Sequence, residues 1–393
     1  MPRILTREVT MRTLLYIIMT VSCSASAWAQ DFEAGREALE SAVDIPGFSG
    51  AVVVMREGEI VYEDYRGLAD QASGRPITQE TRFNAASASK FLTAMAFVRA
   101  AREAGRDPSE VMASEVFTDE PGLFADDLAI AALLAHATTA QSFHGDDPAV
   151  VDAMAAARSN ADVFTLTRAV QTAPIMRHPQ GLAYSNSGFI LAGEAIARLS
   201  GESYEAYLTR TIFEPSGVAP RFSRQANAEA DQLALPYVPE GYDYETGPPR
   251  RQPGQVLPAD YPELADSPLG SMISSAAGGL YISARDFARI GDAALSGEIV
   301  SPEDLEWMCT SVVPAQERIF GLGCGGRDLG EGLRRWGHNG GAPGVNTEFA
   351  LYPDQGLVVV ILSNHNMRAR PVLQAFEAAY FGRPQAGGFI VRE

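Results

Sequence analysis

Phe83-Asn84-Ala85-Ala86-Ser87-Ala88-Ser89-Lys90-Phe91-Leu92-Thr93-Ala94-Met95 is the stretch on which the reading of this chain turns. From Phe91 to Ala104 the residues are apolar almost all round and Gly105 follows, so a buried central helix stopped by a glycine is expected. Ser87 and Lys90 open it. An i, i+3 spacing puts the hydroxyl and the amine on one helix face within hydrogen-bonding reach, a nucleophile beside a base. At a helix start the Ser87 N–H also points outward with the positive end of the dipole behind it, which suits a developing oxyanion. Ser89 is adjacent to Lys90, does not face it, and is the poorer nucleophile.

Composition adds weight to that lysine. The 393 residues include 31 Lys and Arg, of which 30 are Arg and one is Lys, at Lys90. Codon usage accounts for the arginines but not for the exception. Arginine stays charged, whereas burial can bring a lysine down to a neutral, proton-accepting form. Hydrophobic residues make up 46% and charged residues 20%, with 36 Gly and 24 Pro, an ordinary globular composition that excludes disorder, collagen and coiled coil. The formal charge of −18 excludes a nucleic acid as the main partner, since phosphate binding needs clustered basic side chains.

Outward from the helix, strands are expected at both ends. Ser49 to Met55, a turn at Arg56-Glu57-Gly58-Glu59, and Ile60 to Tyr65 read as one hairpin. Thr347 to Tyr352, the turn Pro353-Asp354-Gln355-Gly356, and Leu357 to Leu362 read as another, its last strand fully buried. Sheet is therefore expected over about 45–85 and 275–365, and a helical region over about 86–220. Further helices are expected over Gly188 to Leu199, Tyr204 to Ile212, and Asp286 to Leu295 with Ser283 and Asp286 as a capping box. One more should start at Ser301-Pro302. The stretch from Gln225 to Pro268 has no period and reads as a functional loop or a partly disordered one.

Arg3, Arg7 and Arg12 precede an apolar run from Leu14 to Val21 and small residues ending in Ala27-Trp28-Ala29, the layout of a secretory signal over 1–29 cleaved after Ala29. The run is too short to span a bilayer, and no later segment is long enough. A lipid anchor on Cys23 is not favoured, because Thr20-Val21-Ser22 is a poor approach to it. Cleavage removes three Arg and Glu8, leaving 30–393 at −18 − 2 = −20, periplasmic or secreted, as a single catalytic domain. Cys309 and Cys324 then share an oxidising compartment, where a disulfide and two buried thiols both remain open.

Two later motifs carry chemistry. Tyr184-Ser185-Asn186 precedes a helical stretch, and a phenol held near a lysine ammonium loses its proton more easily. His338-Asn339-Gly340-Gly341 lies on the approach to the second hairpin, where glycines would let a substrate lie against the strand and a main-chain N–H complete an oxyanion hole. His338 would line that edge. His136, His144, His178 and His365 are read as structural. Gly321-Leu322-Gly323-Cys324-Gly325-Gly326 fits a dinucleotide fingerprint but lacks the strand–helix context, and is read as a glycine-rich strand and turn. No metal or other cofactor is implied.

In that order S-x-x-K, Y-S-N and H-N-G resemble the serine β-lactamase and penicillin-recognising family, in the branch of class C β-lactamase-like esterases and D-amino-acid peptidases. Phe83 to Lys90, Tyr184 to Leu199, Ser275-Ala276-Ala277-Gly278-Gly279-Leu280-Tyr281 and Gly337 to Asn364 resemble its blocks, over roughly residues 33 to 380. The resemblance implies an α+β fold, an antiparallel sheet flanked by helices with a mostly helical region beside it and the site in the cleft between. It implies Ser87 as the acylated nucleophile, Lys90 and Tyr184 as its proton handlers, Asn186 against substrate or Lys90, and the N–H groups of Ser87 and Gly341 as oxyanion hole. A small-molecule or peptide substrate follows: an ester, an amide or a D-amino-acid peptide. The alternatives are a β-lactamase or D-Ala-D-Ala carboxypeptidase, and a non-enzymatic penicillin-type sensor. Three positions depart from the family: His338-Asn339-Gly340 stands for its Lys-Thr-Gly, Ala86 for the glycine before the nucleophile, and His136-Ala137-Thr138-Thr139 for H-T-S-G.

Overall fold

Runs of β-branched residues at the two ends of the chain build the middle of one sheet. The computed structural model describes residues 32–44, 47–142, 152–154, 156–219, 222, 232–238, 275–310, 321–330 and 333–382. Its named strands are, in chain order, β1 (Gly50–Arg56), β2 (Glu59–Arg66), β3 (Leu68–Asp70), β4 (Arg75–Pro76), β5 (Arg82–Asn84), β6 (Tyr281–Ser283), β7 (Arg327–Gly330), β8 (Leu333–Ala342), β9 (Val345–Tyr352) and β10 (Leu357–Ser363). Both expected hairpins form, β1–β2 through Glu57 and Gly58 at positive φ, as a tight hairpin turn demands, and β9–β10 through Pro353–Gln355. The six-stranded sheet runs β2-β1-β10-β9-β8-β7, antiparallel throughout.

The first and last strands meet at its centre, with Gly50 opposite Ser363 and Arg56 opposite Leu357. Every residue of β10 is buried, and all of β1 except Arg56. A strand covered on both faces needs an unbroken apolar run, which Leu357-Val358-Val359-Val360-Ile361-Leu362 supplies. Phe349 on β9 stacks on Phe287 of the helix Ala284–Leu295 at 4.1 Å and meets Phe91 of the helix Lys90–Glu103 edge-on at 5.4 Å. Burying one such ring is worth about 1.5–3 kcal/mol.

The helix Lys90–Glu103 is the expected buried one, but a 3₁₀ turn over Ala86–Ser89 precedes it. The helix Asn186–Ser200 is capped by Ser185, whose hydroxyl accepts the Gly188 N–H, and it ends at the left-handed Gly201. Ser283 likewise caps Ala284–Leu295 through the Asp286 N–H. The expected helix from Tyr204 to Ile212 is instead α-helical over Tyr204–Leu208 and π-helical over Thr209–Phe213. Thr209 and Thr211 each bond back to the carbonyl four residues earlier, a competition that bends helices. The signal segment 1–29 and His144 lie outside the described residues, as does the irregular stretch 225–268 apart from 232–238. Of the described residues, those between 47 and 370 form one compact unit that holds the sheet and these helices; 32–44 and 371–382 belong to a second, in which Phe376 stacks on Tyr380 at 5.1 Å.

Cys309, near the end of the helix Pro302–Thr310, is bonded to Cys324 with a Cα–Cα separation of 5.0 Å and a sequence separation of 15. The glycine-rich run around Cys324 leads into β7, not a helix, and is tied to the interior by Gly323 N–H to the Leu134 carbonyl at 2.9 Å and Gly325 N–H to the Gly337 carbonyl at 2.7 Å. A cross-link closing a loop of this size stabilises by about 3 kcal/mol in the chain-entropy picture. Replacing both cysteines by serine should lower the unfolding free energy by about that amount, read as a drop in the urea midpoint with an unchanged slope.

Candidate active site

The turn that carries Ser87 is assembled from its backbone outward. β5 delivers the chain to Ala85, whose N–H donates to the Leu280 carbonyl at 2.8 Å, and the Asn84 side chain accepts the Ala86 N–H at 2.8 Å. Ala86 then takes φ 45°, the left-handed region where the family's glycine would sit without strain. In the 3₁₀ turn that follows, residues i and i+3 eclipse, so Ser87 and Lys90 stack directly, with Nζ 3.0 Å from Oγ. Ser89 donates instead to the Ala86 carbonyl at 2.9 Å.

β8 presses against this turn at Gly340, where a Cβ would lie 2.3 Å from the Ala85 carbonyl oxygen. The protein's own backbone thus fills the space that the sequence reserves for substrate at Gly340, while Gly341 faces open space. Asn339, opposite Glu348 in the ladder, alternates to the other face from His338 and Gly340. On the second side, Gly278 at φ 150° lies against the Ala86 carbonyl, where a Cβ would come within 2.9 Å.

Lys90 is completely buried. Its amine donates to Asn186 Oδ1 at 2.8 Å and to the carbonyl of Ala277. Burial brings its pKa down to about 7. In the neutral form those acceptors take both N–H groups and the remaining lone pair faces Ser87 Oγ. The Tyr184 hydroxyl donates to Ser87 Oγ at 2.9 Å, so that Oγ lies between the phenol and the Lys90 amine. Loss of water around that hydroxyl pushes the phenol above its ordinary value, opposed by the bond to Ser87. The expected easing of Tyr184 toward phenolate is outweighed by burial of the phenol itself, and the hydroxyl keeps its proton to donate to Ser87.

His338 is buried on β8, not lining an open edge, with Nδ1 against the Asn339 carbonyl at 2.5 Å. Burial and then the Lys90 charge bring its pKa down to about 3, so it is neutral at pH 7. His136 is also fully buried, its ring stacked on Tyr184 at 4.1 Å.

Sequence reasoning missed the main-chain acceptor from Ala277, because a carbonyl leaves no trace in residue type. The segment that carries it is held on both sides: Ala276 N–H donates to Asn160 Oδ1 at 3.0 Å, and Thr93 donates to the Ala276 carbonyl at 2.7 Å. Thr93 Oγ1 also shares a hydrogen bond with Tyr204 at 2.7 Å. The quoted block Ser275 to Tyr281 was the available signal. Among the described residues no group of His, Cys, Asp and Glu could hold a metal ion.

The chain is similar to proteins of several activities. It is 25% identical to a penicillin-binding protein of Bacillus subtilis (strain 168) over 354 residues, covering 86% of this chain and 73% of that one. It is 27% identical to the esterase EstB of Burkholderia gladioli over 220 residues, 53% of this chain and 54% of that one. In fold it is similar to the D-amino acid amidase of Ochrobactrum anthropi SV3, with a TM-score of 0.69 at 21% identity, covering 89% of this chain and 99% of that one. The family model described as Beta-lactamase matches residues 36–380, nearly the whole length, and with that the chain belongs to the β-lactamase family.

Proposed function

We propose that the protein is an exported serine hydrolase that forms an acyl-enzyme on Ser87 and passes the acyl group to water. The observation that carries this reading is the convergence of Lys90 Nζ and Tyr184 OH on Ser87 Oγ, at 3.0 and 2.9 Å. Neutral Lys90 takes the Ser87 proton as Oγ adds to the substrate carbonyl carbon. Negative charge grows on the carbonyl oxygen, toward the N–H groups of Ser87 and Gly341. Beyond Gly337, whose carbonyl accepts the Gly325 N–H, β8 is paired with β9 alone among the named strands and packs at Gly340 against the turn that carries Ser87. Collapse breaks the bond to the alkoxide or amine, which takes the Tyr184 proton, and the Lys90 ammonium restores it. Water then adds to the acyl carbon with the proton path reversed, releasing the acid and free Ser87.

Substrate class follows from charge. A buried, neutral His338 stands where the resemblance puts a lysine that holds a substrate carboxylate, which favours an uncharged ester, an amide or a D-amino-acid peptide over β-lactams. Export is supported by the leader pattern of residues 3–29 and by the Cys309–Cys324 bond.

The test is turnover of p-nitrophenyl acetate beside nitrocefin. Ser87→Ala should lower ester kcat/KM by about 10³-fold or more; equal rates would sink the hydrolase reading, and fast nitrocefin turnover would move it to β-lactams. Lys90→Arg keeps the positive charge but cannot accept a proton, so it should fall about as far, with the Ser87-dependent burst of p-nitrophenol lost. Because acylation needs the uncharged amine, wild-type kcat/KM should rise through a limb near pH 7 and be small at pH 5, its midpoint reporting Lys90 in the free enzyme.

A further inference from the structure

We propose that His136 is a positioning residue that holds the Tyr184 hydroxyl on Ser87. The need for such a grip is visible in Tyr184 itself, whose side chain is 51% exposed although its hydroxyl must stay 2.9 Å from Ser87 Oγ. A half-exposed phenol with two rotatable angles does not keep that distance unaided.

His136 grips it by three contacts on neighbouring atoms. Its ring stacks on the Tyr184 ring, with centroids 4.1 Å apart and planes 27° from parallel. Its Nδ1 accepts the Ser185 N–H at 3.0 Å, and its carbonyl accepts the Ala183 N–H at 2.6 Å. The residues before and after Tyr184 are therefore both tied to one histidine, while the tyrosine lies on its face. Behind it, Phe189 packs at 4.9 Å on the imidazole, so the ring does not turn away.

The residue type suits the task. His136 sits at φ 53°, where histidine is enriched among non-glycine residues, and this backbone turn brings its carbonyl and its ring to the same segment. Nδ1 accepts only in the neutral tautomer that carries its proton on Nε2. Burial, and then the nearby Lys90 charge, keep the imidazole well below its ordinary pKa, in that neutral form. A cationic ring in its place would lose the acceptor and repel the protonated lysine.

The inference rests on the part given to Tyr184 in the proposed reaction, and the experiment separates the two. Two variants divide the grip: His136→Asn keeps an acceptor and tolerates positive φ but removes the ring, and His136→Phe keeps a ring but removes the acceptor. The rate of Ser87 labelling by a fluorophosphonate is measured for each, alone and combined with Tyr184→Phe, with urea unfolding as the check on folding. Tyr184→Phe alone should slow labelling at least tenfold; a wild-type rate would overturn the role of Tyr184 and the inference with it. Each His136 variant should slow the limiting rate at least tenfold with half-saturation changed less than twofold, and should add less than twofold to Tyr184→Phe. Effects that multiply with Tyr184→Phe, a wild-type rate in both His136 variants, or loss of cooperative unfolding in both would assign His136 to the scaffold and overturn the inference.

Discussion

An amine without water must be given its hydrogen-bond acceptors by the protein, and the structure around Lys90 is organised by that requirement. Asn186 Oδ1 and the Ala277 carbonyl take its protons, and Ser87 takes the remaining direction. These groups come from three separate parts of the chain. The helix Asn186–Ser200 must begin at its Ser185 cap for the amide to point inward, and the Ala276 peptide must be held by Asn160 and Thr93 for the next carbonyl to reach the amine. Leaving the buried amine short of an acceptor would cost about 1–3 kcal/mol. Local helix capping, loop clamping and the placement of the nucleophile are thus one constraint.

The same burial acts on both groups that meet Ser87. Desolvation moves Lys90 down and Tyr184 up, the direction that the proposed division into base and acid requires. An arginine at position 90 would upset this at once, since it would bring a permanent cation and five N–H donors to three acceptors. The lone lysine of the composition finds its physical reason here.

Much of this was legible in residue order. The β-branched strands, the apolar helix after Lys90 and the i, i+3 pair each carry a period or a spacing that survives folding. What was not legible depends on long-range placement. The 3₁₀ turn at Ala86 arises from the Asn84 side chain and the Leu280 carbonyl. Gly340 looks like room for substrate until the Ala85 carbonyl is seen against it, and His136 looks like a core histidine until Tyr184 is found lying on it. The Tyr184 shift has the opposite sign to the expected one because the phenol itself is desolvated, which residue order does not show.

The central pairing of β1 with β10 also bears on the order of events in the life of the chain. Ser363 donates its hydroxyl to the carbonyl of Ser49, 314 positions away. A nascent polypeptide therefore holds the β1–β2 hairpin without its main neighbour until residues 357–363 have left the ribosome. Closing so wide a loop is entropically slow, and such topologies are late folders. For a protein proposed to cross a membrane this delay has a consequence: the sheet cannot close around its own middle before β10 is made, and until then the chain stays threadable for a translocation pore.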